Sequence, residues 1–278
     1  MRRSLAAAAF GLAALLAGAP AALANEQDSS NWSGYAVHRS GVRFTTVSGS
    51  WTQPSATCTR GHRTYSAFWV GLGGYSLRSN SLEQIGTEVD CSASGAIRSS
   101  AWYELVPAAS RTIRLRVRPG DAMTAKVNVT GHQVYVAVDD LTSGRSFHKT
   151  LRAGTLDISS AEWIAEAPAE CIGENDCQTL PLADFGSAGF NVARARSTTG
   201  RVGSISDRGW DWTRLRLLPG GKRFVEAPQG GITAGESTPS LLSANGAEFT
   251  VSYSQVSVMA PPFMRARQAS LSDGYLVH

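Results

Sequence analysis

Beyond about residue 30, apolar and polar residues alternate with a period of two, and no window sustains a helical repeat. The alternating segments are Ser33–Val37, Arg43–Trp51, Tyr65–Leu72, Leu82–Val89, Ser99–Val106, Ile113–Val117, Ala122–Val129 and Gln133–Val138. They continue at Ser146–Leu151, Ala161–Glu166, Gly189–Ala195, Val202–Ser206, Arg223–Glu226 and Glu248–Ser254. Turn-forming clusters separate them, among them Pro119-Gly120-Asp121, Thr130-Gly131-His132, Ser143-Gly144 and Pro219-Gly220-Gly221. Many short antiparallel strands at even spacing predict one all-β domain, an antiparallel β-sandwich of two stacked sheets. Two stretches fall outside this pattern. Gly209–Gly221, with Trp210 and Trp212 among arginines, reads as a long loop or hairpin excursion. The tail from Met259, with Pro261-Pro262 and little alternation, reads as a peripheral extension.

The first residues follow a different rule. Arg2 and Arg3 precede an apolar run from Leu5 to Leu16, and Ala22-Leu23-Ala24 supplies small residues. That sequence of regions predicts an export signal cleaved after Ala24. The run is shorter than the roughly 20 residues of a membrane span, and Gly18 and Pro20 interrupt it, so no membrane association is expected after cleavage. The expected layout is a signal at 1–24, a β-domain at 25–255 and an extension at 256–278, in a protein that is secreted or periplasmic.

Composition narrows the chemistry. The formal charge is +4, but losing Arg2 and Arg3 leaves the exported chain near neutral. Only Arg111, Arg114, Arg116 and Arg118 form a dense basic block, so nucleic acid is not an expected partner. Export favours disulfides. Cys58, Cys91, Cys171 and Cys177 permit three pairings, and proximity in the chain favours Cys171–Cys177, which leaves Cys58–Cys91. The longer bridge would stabilise by about 3–4 kcal/mol in the chain-entropy picture. No C-x-x-C occurs and the histidines lack ligand spacing, so neither a metal nor another cofactor is expected.

Several chemistries lack their signatures: G-x-S-x-G, D-[ST]-G, H-E-x-x-H and a glycine-rich phosphate loop are all absent. Oxidised cysteines leave no thiol nucleophile. What remains is carboxylates, amides and hydroxyls on strands. In Leu82–Cys91 the alternation puts Gln84, Gly86, Glu88 and Asp90 on one face, with Ile85 and Val89 on the other. In Ala161–Glu166 it puts Glu162, Ile164 and Glu166 together, Ile164 as an apolar patch. Ala101-Trp102-Tyr103-Glu104 adds a carboxylate among aromatics. Taken singly, each of these faces reads first as a solvated strand surface. Four residues along one strand separate Glu162 from Glu166 by roughly 13 Å, too far for a glycosidase pair. A cross-strand pair such as Glu88 with Glu104 is compatible with one, and seven tryptophans are compatible with sugar stacking. A carbohydrate-binding or glycan-hydrolysing sandwich is therefore the alternative reading.

The motifs in their order resemble the glutamic peptidases, or eqolisins. They are Asn31-Trp32-Ser33-Gly34-Tyr35-Ala36-Val37, the Val47–Pro54 stretch with Trp51, Phe68-Trp69-Val70-Gly71-Leu72-Gly73-Gly74 and Leu82-Glu83-Gln84-Ile85-Gly86-Thr87. Then follow Ala101-Trp102-Tyr103-Glu104, Gly120-Asp121, Asp140-Leu141-Thr142-Ser143-Gly144, Ala161-Glu162-Trp163-Ile164-Ala165-Glu166 and Leu182-Ala183-Asp184-Phe185-Gly186. The resemblance implies a concanavalin- or lectin-like sandwich of two large sheets with a concave substrate cleft. It implies a secreted acid endopeptidase, monomeric and without cofactor, acting on polypeptides. Matching the motifs residue by residue makes Gln84 and Glu166 the catalytic pair and places Trp32, Trp69, Trp102, Glu104 and Glu88 at the substrate. A glutamate base with an ordinary value of about 4.3 implies activity at roughly pH 2–5. One departure stands out: Gly73 occupies a position where fungal members carry Asp. Six residues, Asn25 to Ser30, separate the cleavage site from the first motif, so no long N-terminal propeptide is expected.

Overall fold

A computed structural model describes residues 25–76, 78–172, 176–218, 235–255 and 275–277, with side chains for all but 171–177 and 275–277. The export signal, the strand expected at Arg223–Glu226 and most of the tail lie outside the described residues.

The described strands begin with β1 (Asn25–Ser29), β2 (Trp32–His38), β3 (Phe44–Thr52), β4 (Ala67–Gly73), β5 (Leu82–Cys91), β6 (Ile97–Val106) and β7 (Arg111–Ile113). They continue with β8 (Ala122–Thr130), β9 (Gln133–Asp140), β10 (Arg145–Arg152), β11 (Ser160–Glu166), β12 (Ala169–Ile172), β13 (Asp176–Thr179) and β14 (Ser187–Ser197). The last are β15 (Val202–Gly203), β16 (Asp211–Leu217), β17 (Gly235–Pro239), β18 (Phe249–Gln255) and β19 (Tyr275–Val277).

One hydrogen-bonded path runs β10-β9-β8-β3-β14-β18-β17-β16-β2-β11-β4-β5-β6-β7. It doubles back to make a sandwich. Strand β17 pairs with β18 along its whole length but with β16 only at Ser237–Leu217, so the ladder turns a corner there. Beyond the corner, β3, β8, β9 and β14 lie over β4, β5 and β11 without pairing with them. The alternation seen in the sequence becomes the core between the layers. Val47 and Trp51 of β3, Val127 of β8, Val136 of β9 and Phe190 of β14 meet Phe68 and Val70 of β4, Ile85 and Val89 of β5, and Trp163 of β11. Two indoles are anchored across the gap: Trp163 Nε1 donates to Ser48 O at 2.8 Å and Trp51 Nε1 to Thr87 Oγ1 at 2.9 Å. Gly49 permits the first of these, because a Cβ there would stand 2.8 Å from the Trp163 ring.

Three features depart from expectation. Asp211–Leu217 is not a loop but strand β16, antiparallel to β2 inside the sheet, with Asn25–Ser29 paired parallel to it along Thr213–Leu217. Thr213, Leu215 and Leu217 are buried and Arg214 and Arg216 point away, so the arginines hid an ordinary period-two pattern. The expected strand Ile113–Val117 shares only Ile113 with β7, which ends there, although Leu115 and Val117 remain buried between exposed arginines. Strand β11 is buried on both faces, where its polar face read first as a solvated surface, and β2 and β4 beside it are buried on both faces too.

Cys58 and Cys91 form a disulfide with a Cα–Cα distance of 5.3 Å, tying the end of β5 to the loop after β3. Cys171 and Cys177 are register partners on the β12–β13 hairpin; their side chains lie outside the described residues. At the end of the tail, β19 pairs antiparallel with β12.

Candidate functional site

The register of the second layer fixes which side chains share its outer face, because direct partners in a ladder project to the same side. One row reads Thr213, Ala36, Glu162, Gly71, Gln84 and Glu104 across β16, β2, β11, β4, β5 and β6. The next reads Leu215, Gly34, Ile164, Trp69, Gly86 and Trp102. The third reads Trp32, Glu166, Ala67, Glu88 and Ser100. Every side chain assigned to a peptidase site by resemblance therefore lies on one face. That face carries its own apolar cluster, built by Trp32, Trp69, Trp102, Leu82, Ile164 and Leu215. Its polar members are buried with it: Gln84 is 0% exposed, Glu104 1% and Glu166 2%.

Glu166 sits where three N–H groups converge. Asn31 Nδ2 and Trp32 Nε1 donate to Oε1 at 3.3 and 3.1 Å, and Trp69 Nε1 donates to Oε2 at 2.7 Å. Such donors favour the carboxylate over the acid. The Trp32 and Trp69 rings pack edge to face, 5.0 Å between centroids, which fixes both N–H vectors. In the sequence Asn31 stands only as the first residue of the Asn31–Val37 motif, with no role assigned to it. Here its amide is buried against Glu166, and no sequence signal tied it to that residue.

Gln84 is positioned from the other side. Its Nε2 donates to Glu104 Oε2 at 2.8 Å, which sets the amide so that its N–H groups and carbonyl oxygen have defined directions. Strand β4 separates Gln84 from Glu166, and Trp69 spans it. One end of the indole reaches Glu166; at the other, Cζ3 packs over Gly71 beside Gln84. A Cβ on Gly71 would stand 2.9 Å from Trp69 Cζ3 and 3.3 Å from Gln84 Cβ. Gly86 matters equally, since a Cβ there would lie 2.6 Å from Trp69 Cβ and 2.2 Å from Phe68 O. The glycine of the L-x-Q-x-G pattern is thus required by the close approach of β4 at Phe68 and Trp69.

Other acids surround this centre. Glu88 takes a short hydrogen bond from the Ser100 hydroxyl, yet burial pushes its carboxyl up. Burial, reinforced by Glu88, raises Asp90 to about 8. Burial also drives Glu162 well above the usual range, with the Ser160 hydroxyl opposing and the charges of Asp157 and Glu83 adding. Glu83 points the other way, into the sandwich, and burial followed by the charge of Asp157 raises it to about 9. Beyond Glu162 lies a group absent from the sequence reading. Tyr75 donates its hydroxyl to Thr213 Oγ1 at 2.9 Å, Thr213 Oγ1 is 2.9 Å from His38 Nε2, and the His38 and Tyr75 rings stack 4.5 Å apart. Burial holds His38 below its ordinary value, against the charge of Asp211.

Gly73 has a local explanation. A Cβ there would stand 2.3 Å from the carbonyl oxygen of Asp157. Asp157 closes over it, and its Oδ2 accepts from Gly74 N at 3.3 Å and Ser79 Oγ at 2.6 Å. An acid from the segment before β11 therefore stands beside the position where fungal members carry one on β4. Among the described residues, no group of three or more His, Cys, Asp or Glu is placed to share a metal ion.

A family model described as the Peptidase A4 family matches residues 30–211. No curated protein is significantly similar to the chain. Among solved structures, scytalido-glutamic peptidase with a transition state analog inhibitor is 23% identical, with a TM-score of 0.64 over 81% of this chain and 98% of that one. SCP-B, an eqolisin in complex with the tripeptide Ala-Ile-His, is 22% identical, with a TM-score of 0.61 over the same shares. Aspergilloglutamic peptidase from Aspergillus niger is 25% identical, with a TM-score of 0.53 over 69% of this chain and 99% of that one.

Proposed function

Because the chain belongs to the peptidase A4 family and is a peptide hydrolase, we propose that Gln84 and Glu166 are its catalytic pair, in a secreted endopeptidase that works in acid. One observation carries this reading. Glu166 is the carboxylate into which three N–H groups converge, on the same sheet face as an amide oriented by Glu104.

In the mechanism, ionised Glu166 takes a proton from a water molecule as the water oxygen bonds to the scissile carbonyl carbon. The carbonyl π electrons move onto its oxygen, and Gln84 donates an amide N–H to that oxyanion. An amide nitrogen carries two donors. The bond to Glu104 sets the direction of the amide. The oxyanion then re-forms the carbonyl, the C–N bond breaks, and Glu166 returns its proton to the leaving amine. Glutamine does not titrate, so the step needs one ionised carboxylate. The raised acids nearby remain protonated in acid and add no competing negative charge. Trp32, Trp69 and Trp102, buried in one cluster, form the apolar floor that fixes the pair from beneath.

The test is release of acid-soluble peptides from denatured casein across the acid range. Wild-type protein should cleave at roughly pH 2–5, insensitive to chelators and serine reagents. Gln84→Ala should lose about 10²–10³-fold in kcat, the scale of one lost oxyanion donor, and Glu166→Gln should be inactive. Full activity in Glu166→Gln, or an optimum above about pH 7, would remove Glu166 as the base. Mass spectrometry of the exported protein should find Asn25 at its N-terminus.

A further inference from the structure

Apart from this face, the two layers leave a cavity of about 630 Å³ between the ends of β6 and β10. Neither Gln84, Glu104 nor Glu166 lines it. Its walls are mainly apolar, with Leu105, Pro107 and Ala109 on one side and Leu151 and Ala153 on the other. Tyr103 completes them, stacked on Phe147 at 5.9 Å, with Lys149 Nζ donating to its hydroxyl at 3.1 Å. Two further lining residues, Arg111 and Arg152, are exposed cations, and no carboxylate lines the cavity. The ion pairs of the described residues involve Arg39, Arg201, Arg214 and Arg216, and neither of these two. Arg114, three residues after Arg111, is exposed as well.

An apolar chamber of this size is in the range of small-ligand sites, in which a few polar groups select one end of the ligand. Here both of its permanently charged groups are guanidiniums, whose planar forks suit a small oxyanion. We propose that the cavity binds a single-chain amphiphile with an anionic head group. The aliphatic chain lies among Leu105, Pro107, Ala109 and Leu151, and the head lies between Arg111 and Arg152. Charge complementarity excludes the cationic counterpart. This site is separate from peptide hydrolysis and is read out without it.

The test titrates the mature protein at neutral pH with dansyl-undecanoate, whose emission rises in apolar surroundings, and displaces it with unlabelled amphiphiles. Saturation at one probe per chain is expected, with displacement by dodecanoate and not by dodecyltrimethylammonium. Arg111→Ala with Arg152→Ala should weaken dodecanoate by at least about tenfold, the scale of a charge-assisted hydrogen bond, and leave dodecanol unchanged. Filling the chamber by Leu151→Trp or, separately, Ala109→Trp should abolish probe binding, with circular dichroism verifying the fold of each. Reversing the mouth with Arg111→Glu and Arg152→Glu should let the cationic amphiphile compete. The proposal is overturned by unsaturable binding, by probe binding that survives both filling variants, or by equal displacement by anionic and cationic amphiphiles.

Discussion

Trp69→Phe isolates one atom pair of the proposed catalytic centre. It keeps an aromatic ring at this position of β4 and removes the Nε1–H that reaches Glu166 Oε2 at 2.7 Å, shorter than the bonds from Asn31 and Trp32. A hydrogen bond to a charged group contributes about 1.5–3 kcal/mol. At about 1.4 kcal/mol per pH unit, losing it weakens the ionised form by roughly one to two units. The sign follows from the donor stabilising the anion: without it the carboxylate is protonated at higher pH. The acidic limb of kcat/KM should therefore move upward by about one unit or more, measured with an internally quenched peptide across the acid range. Trp163→Phe is the control. That indole faces the interior and donates to Ser48 O, so its loss should lower the thermal midpoint and leave the limb in place. An unmoved limb in Trp69→Phe, or equal shifts in the two variants, would refute the view that Trp69 holds the base in its charged form.

Three further outcomes follow from the fold. Glu83 is protonated in the folded chain up to about pH 9 against an ordinary 4.5, so its contribution is fully present below about 4.5 and is lost as pH rises through about 9. Denaturant midpoints should fall over that interval, with a slope of up to about 1.4 kcal/mol per pH unit for one proton, and Glu83→Gln should flatten the fall. Gly49→Ala forces a methyl group against the Trp163 ring and should destabilise by about 1–3 kcal/mol in urea melts while sparing kcat. Replacing Cys58 and Cys91 together by serine should cost about 2–5 kcal/mol, seen as a lower thermal midpoint.

The face shared by Gln84, Gly86 and Glu88, and that shared by Glu162, Ile164 and Glu166, were legible because a strand has a strict period of two. The sequence did not reveal that this face is buried. Alternation distinguishes one side of a strand from the other but does not say what each side meets. Strand β16 was missed for a related reason: arginines at alternate positions look like loop composition when their apolar partners are threonine and leucine. The contacts of Asn31, His38, Thr213 and Tyr75 were beyond reach, since they join the residue before β2 to β11, and β2 and the loop after β4 to β16. The role of Gly71 was equally hidden, because only the fold shows a tryptophan lying across it.

The central strands β2, β4 and β11 bury both of their sides. One surface holds the two layers together, and the other carries Glu166, the proposed base, beside Trp32 and Trp69 of a second packed cluster. A substitution meant to retune substrate choice on that floor therefore also perturbs folding. Altered selectivity is more accessible at the periphery, where connecting segments tolerate variation, while the residues of the proposed catalytic centre stay constrained by packing as much as by chemistry.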